Sequence, residues 1–303
     1  MADEEVATKA PESDAQEQSS SAIPGDTTVD QGSSMGAYIT KPADYPHAPS
    51  KLLLFLTGGT GIHSTNNQLQ ADKYAAEGFL VVMPDQFNGD PAPNTSTVIP
   101  ESEEHPTFIE NLKLNLASAA KSFRIDMWLA RHTPTTVLPR LHSVLSAVRD
   151  EFADAVANGN GIYAVGYCFG AKYVLLLGSE LPDDVISGQR ESDAQATAEE
   201  GMVRKGPAIK TGALAHGTMI ERSDFENVQV PVGMVCVEGD GLFPDEVREE
   251  GVKVLKEKGQ EVDSWVYPGV PHGFAVLGDY EDQKIVDAQK KAFDQMLGWL
   301  KSH

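Results

Sequence analysis

The sequence predicts an α/β fold: a mostly parallel central sheet with helices on both faces. Two observations carry the prediction. Short continuous apolar runs alternate with amphipathic segments of helical spacing along most of the chain, as β-α repeats require. Residues with chemical potential fall directly after the apolar runs, on loops that a parallel sheet gathers at one edge. No internal repeat is evident.

The elements follow in order. Residues 1–35 are rich in Asp, Glu, Ser, Gln, Ala and Thr and nearly free of large apolar side chains. Such a segment cannot offset its ordering entropy, and a disordered acidic tail is expected, with one domain over 36–303. Gly36–Thr40 reads as a short strand, and Lys51–Thr57 as a strand buried on both faces, followed at once by Gly58-Gly59-Thr60-Gly61. A helix is expected over Asn66–Glu77, with Leu69, Tyr74 and Ala75 on its inner face and Gly78 as its stop. Phe79–Met83 is the next buried strand and Gln86–Pro100 an irregular loop. Residues 101–133 read as helical pieces able to cap a pocket, and Val137–Val156 as one helix. After the strand Ile162–Val165 and the helix Lys172–Leu177, residues 182–207 form a polar surface excursion. Strands at Gly212–His216, Val230–Val237 and Val262–Tyr267 and helices at Asp245–Lys258 and Asp282–Leu300 complete the pattern.

Composition narrows the function. The 303 residues carry 45 acidic and 24 basic side chains, a formal charge of −21 that disfavours nucleic acid and anionic membrane surfaces as partners. The two cysteines, Cys168 and Cys236, do not suggest a disulfide framework, and Cys236 lies inside an apolar run. There is no apolar run of membrane-spanning length. The acidic start lacks the apolar stretch of a secretory signal, and Lys301-Ser302-His303 is not a peroxisomal address. A soluble cytoplasmic protein acting on a small molecule is expected.

The chain is organised around Gly166-Tyr167-Cys168-Phe169-Gly170, a strand–turn–helix with the spacing of a nucleophile elbow and Cys in place of Ser. Glycines two before and two after the nucleophile allow the close backbone approach such a turn needs, and the helix start favours a thiolate. Asp240 and His272 each follow a later strand. Singly, each has a plainer reading: a buried Cys between packing glycines, a turn Asp, an exposed loop His. Together they stand in the nucleophile–acid–His chain order of α/β-hydrolases. In that reading Cys168 attacks, His272 moves the proton and Asp240 fixes the imidazole. Gly58-Gly59-Thr60-Gly61 would offer backbone N–H groups to an oxyanion. His216, ending a strand, and Phe87, Trp128 and Phe274 are candidate pocket walls or ordinary core.

Gly166-Tyr167-Cys168-Phe169-Gly170, Glu238-Gly239-Asp240-Gly241-Leu242-Phe243-Pro244, Tyr267-Pro268-Gly269-Val270-Pro271-His272-Gly273-Phe274-Ala275 and Pro84-Asp85-Gln86-Phe87-Asn88-Gly89-Asp90-Pro91 resemble the dienelactone hydrolase family over roughly residues 36–302. The resemblance implies an α/β-hydrolase fold, no cofactor and no metal. It also implies a Cys168–Asp240–His272 triad, with the N–H groups of Gly59 and Phe169 as oxyanion donors. Two departures stand out. Gly58 replaces the Glu by which bacterial members help activate the thiol, and Val276 and Leu277 stand where many members carry an Arg for a substrate carboxylate. The expected reaction is hydrolysis of a small ester or lactone, carboxymethylenebutenolidase-like, through a Cys168 acyl-enzyme. The alternatives are an isomerase or lyase on a lactone-like metabolite, a non-catalytic binder with an inert thiol, or, more weakly, a redox sensor.

Overall fold

The computed structural model describes residues 28–29, 36–93, 124–182, 186 and 204–303. Strands β1 (Thr28–Val29), β2 (Ala37–Thr40), β3 (Lys51–Leu56), β4 (Phe79–Pro84), β5 (Tyr163–Tyr167), β8 (Thr211–Ala215), β9 (Val232–Val237) and β10 (Val262–Tyr267) form one sheet, in the order β1-β2-β4-β3-β5-β8-β9-β10. From β4 to β10 every neighbouring pair is parallel; β1 and β2 add an antiparallel edge. Helices α1 (Thr65–Ala76), α3 (Pro134–Glu151), α4 (Ala153–Gly159), α5 (Phe169–Leu177), α6 (Asp245–Glu257) and α7 (Gln283–Ser302) connect and cover them, and the described residues 124–131 are helical (α2).

The sheet is mostly parallel because its strands are apolar on both faces. In β3, Leu52, Leu54 and Leu56 pack with Leu138, Leu141 and Val174 on one side. Leu53 and Phe55 pack with Tyr74, Phe293 and Met296 on the other. Side-chain alternation along a strand thus feeds two cores, one under α3 and α5 and one under α1 and α7.

Some expectations are corrected. The helix expected over Val137–Val156 is two helices: Phe152 leaves helical geometry (φ −118°, ψ 41°), and α4 restarts at Ala153. The apolar spacing runs on because Phe152 is itself buried, so periodicity does not reveal the break. The inner face of α1 carries Asn66, Asn67 and Gln70 alongside Ala71, Tyr74 and Ala75, whereas Leu69 is only half-buried. Within the expected tail, Thr28 and Val29 pair with Ile39 and Tyr38, giving the otherwise open edge of β2 a partner. The rest of residues 1–35 lies outside the described residues, as do residues 101–123 of the expected cap. Of the 182–207 excursion, the stems are described: β6 (Leu181–Pro182) and β7 (Arg204–Lys205) pair antiparallel.

Two glycines at the β5–α5 junction have no room for a side chain. A Cβ on Gly170 would lie 2.3 Å from the Leu56 carbonyl oxygen, and one on Gly166 2.5 Å from the Gly170 carbonyl oxygen. Backbone atoms cannot swing aside as a flexible side chain can. Gly170→Ala is therefore expected to destabilise the fold by about 3 kcal/mol or more, read from urea unfolding.

Candidate active site

The turn after β5 places Cys168 in an uncommon conformation, φ 50° and ψ −114°. A non-glycine residue is held there only when its surroundings over-determine it. Here the Cys168 N–H donates to the Ala215 carbonyl (3.1 Å), the Gly170 N–H to the Thr57 carbonyl (3.1 Å), and the Thr218 N–H to the Cys168 carbonyl (3.2 Å). Cys168 caps the N-terminus of α5, whose dipole favours negative charge at Sγ.

The loops after β9 and β10 bring the acid and the imidazole together. Asp240 accepts the Leu242 N–H at Oδ1 (2.9 Å), and its Oδ2 lies 2.7 Å from His272 Nδ1. Both side chains are buried. Burial disfavours the imidazolium. The bond to Asp240 and the pairing with Cys168 outweigh it, and His272 is raised to about 10. With Nδ1–H on Asp240, Nε2 faces the thiol side. The His272 loop is seated from behind. Gln289 of α7 donates to the carbonyls of Phe274 (3.1 Å) and Val276 (2.7 Å). Gln70 of α1 accepts the Leu277 N–H (3.1 Å) and donates to the Tyr167 hydroxyl (3.1 Å), itself bonded to Tyr74 (2.9 Å).

The remaining predicted residues fall into two groups. Phe169 follows Cys168 at the start of α5, and Gly59 lies in the loop after β3. Among the described residues neither N–H donates to a backbone acceptor. A Cβ on Gly59 would lie 2.9 Å from Ala92 Cβ and 3.8 Å from Trp128 Cη2. Phe87 and Trp128 are buried and pack on Phe169 at 5.2 Å each, so they form a wall behind the elbow. His216 and Phe274 are fully buried beneath His272: the two imidazoles meet edge to face at 5.0 Å, and Phe274 lies 6.4 Å from His216. Neither ring nitrogen of His216 has a hydrogen-bond partner among the described residues. Burial, reinforced by His272, holds it well below the usual histidine range, hence neutral. A separate small cleft of ≈ 20 Å³ lies between the glycine turn and the His272 loop, lined by Thr60, Ser64, Asn66, Asn67, Gly273, Val276, Leu277 and Tyr280.

Sequence reasoning missed Thr218. Its Oγ1 lies 3.2 Å from Cys168 Sγ and 3.3 Å from His272 Nε2. It also missed the brace under Thr218. Lys172 of α5 donates to the Met219 carbonyl (2.8 Å) and pairs with buried Asp224 (3.0 Å), which accepts the Glu221 N–H (2.8 Å). The available signal was position: Thr218 follows β8 as Asp240 follows β9 and His272 follows β10. Among the described residues no group of His, Cys, Asp and Glu is placed to hold a metal ion.

Sheet order, elbow and loop placement together define an α/β-hydrolase. The dienelactone hydrolase family model matches residues 35–187 and 198–303, and the chain belongs to that family. It is 27% identical over 266 residues to hydrolase pyvD of Aspergillus violaceofuscus, covering 88% of this chain and 86% of that one. It is 26% identical over 264 residues to dienlactone hydrolase 1 of Gibberella moniliformis, covering 87% and 82%. A solved Klebsiella pneumoniae structure, provisionally assigned as a dienelactone hydrolase, matches with TM-score 0.62 at 17% identity, over 93% of this chain and 100% of that one. The native structure of Thermogutta terrifontis esterase 2 matches with TM-score 0.55 at 12% identity, over 95% and 94%.

The Lys172–Asp224 pair gives a test of the brace. Burial raises Asp224 above the usual carboxylate range despite the Glu221 N–H and Lys172. Lys172→Met leaves that carboxylate without its cation and is expected to cost about 3–5 kcal/mol in chemical unfolding near neutral pH. Protonation relieves a buried carboxylate, so the deficit should narrow as the pH is lowered.

Proposed function

We propose that the protein is a cofactor-independent hydrolase of small esters or lactones, carboxymethylenebutenolidase-like in reaction, working through a Cys168 acyl-enzyme. The observation that carries this is the 2.7 Å Asp240–His272 contact beside a cysteine held on a strained strand–helix turn. In this reading the Cys168 thiolate adds to the ester carbonyl and the N–H groups of Gly59 and Phe169 receive the oxyanion. The His272 imidazolium then protonates the departing alkoxide. Water attacks the thioester with His272 as base, and Cys168 leaves as the acid product is released. Asp240 keeps Nδ1 protonated throughout.

Val276 and Leu277, both apolar, stand where many family members carry an Arg for a substrate carboxylate, and this supports a neutral substrate. Reduced Cys168 is a requirement of the mechanism and both cysteines are free, which favours the cytoplasm as the place of action. The acidic charge supports neither nucleic acid nor anionic membrane as a partner, and no helix among the described residues is long and apolar enough to cross a membrane.

Brief mixing with an activated acetate ester should give an acyl adduct on the intact wild-type chain that then decays. Cys168→Ala should show no adduct and lose about 10³-fold or more in turnover. Full esterase activity in Cys168→Ala would refute the assignment. Hydrolysis must place oxygen from labelled water in the acid product; conversion of a lactone without label would move the reading to an isomerase or lyase. The rate also carries a pH signature. The reactive form needs a protonated His272, so kcat/KM should fall as the pH rises through about 10.

A further inference from the structure

We infer that the Thr218 hydroxyl is the proton relay between Cys168 and His272. The inference rests on the acyl-enzyme reading and specifies how its nucleophile is armed.

The geometry is that of a three-membered chain. Thr218 Oγ1 stands within hydrogen-bond distance of both reacting atoms, 3.2 Å from Sγ and 3.3 Å from Nε2. A hydroxyl has one proton to give and lone pairs to receive with, so it can serve both neighbours in either charge state. In the neutral state the thiol donates to Oγ1 and the Thr218 O–H donates to Nε2. Transfer breaks S–H and forms a new O–H, while the old O–H breaks and N–H forms at Nε2. The result is a thiolate and an imidazolium, with the hydroxyl now donating to Sγ and accepting from Nε2. No proton or electron enters or leaves the three groups.

The fold holds Thr218 for this role more tightly than a surface loop requires. Its N–H is bonded to the Cys168 carbonyl, so relay and nucleophile share a backbone clamp. The residues around it, His216 (φ 36°) and Met219 (φ 58°), both adopt the left-handed region that non-glycine residues seldom occupy. Lys172, from the same helix whose N-terminus carries Cys168, fixes the Met219 carbonyl, and Asp224 fixes Lys172. A Cβ on Gly217 would lie 2.3 Å from Ile220 Cδ1, so the turn is closely packed from within. The ionisable groups around the relay are Cys168, His272 with Asp240 behind it, neutral His216 below, and the Lys172–Asp224 pair at its base.

The test reads thiol reactivity apart from turnover. Cys168 alkylation by iodoacetamide is followed by peptide mass spectrometry across pH in wild type, Thr218→Val and Thr218→Ser, with circular dichroism on each. Valine keeps the shape and removes the hydroxyl; serine keeps the hydroxyl. Thr218→Val should alkylate about tenfold more slowly near neutral pH, with its profile displaced to the alkaline side by about one unit. Thr218→Ser should stay within about threefold of wild type, with the wild-type profile. A Thr218→Val profile superimposed on wild type overturns the relay. So does a Thr218→Ser variant as slow as Thr218→Val, because packing rather than the hydroxyl would then matter. If Thr218→Val does not fold, Thr218→Ala is judged by the same profile. The two readings fail differently: wild-type Cys168 that forms no acyl adduct refutes the acyl-enzyme, whereas loss of the relay alone appears only in the Thr218 variants.

Discussion

The structure turns on the contact between Gly170 and the Leu56 carbonyl. At that point the first turn of α5 is pressed onto the end of β3, with no space for even one methyl group. The same approach brings the Cys168 turn beside the glycine loop that follows β3. The positions of Cys168 and of the Gly58–Gly61 turn are thereby set by backbone packing, before any side chain is considered. The strain at Cys168 is held by three backbone hydrogen bonds to β8, to the following loop and to Thr57.

Around that fixed point, buried side chains tie the other loops down by their backbone carbonyls and N–H groups. Gln289 and Gln70 do this for the His272 loop, Asp224 and Lys172 for the loop after β8, and Asn67 for the glycine turn through the Gly61 carbonyl. Each tie satisfies polar groups that would be costly to bury unpaired. The loops around Cys168 and His272 are thus fastened by polar contacts from the elements packed behind them.

The fold was legible in the sequence because its signals are local. Runs such as Leu52–Leu56 and Phe79–Met83 report burial on both faces, and the glycine spacing about Cys168 reports the elbow. Asp240 and His272 were legible because their loops follow apolar strands. What escaped was of two kinds. The helix break at Phe152 is silent, since a buried aromatic continues the apolar stripe through it. Thr218, the Lys172–Asp224 pair and the Gln289 and Gln70 ties each join residues brought together only by the crossovers. Thr218 is fifty residues from Cys168 and fifty-four from His272 in sequence. Phe87 and Trp128 pack behind the elbow and His216 and Phe274 beneath His272, but aromatic character does not distinguish a pocket wall from the packing behind it.

The seat of the His272 loop belongs to the last helix. The carbonyls of Phe274 and Val276 meet their Gln289 donor only when residues 283–302 have docked, and Trp299 of the same helix packs against Gly233 of β9. The His272 loop and strand β9 thus lean on one helix, so a change that displaces residues 283–302 reaches both together.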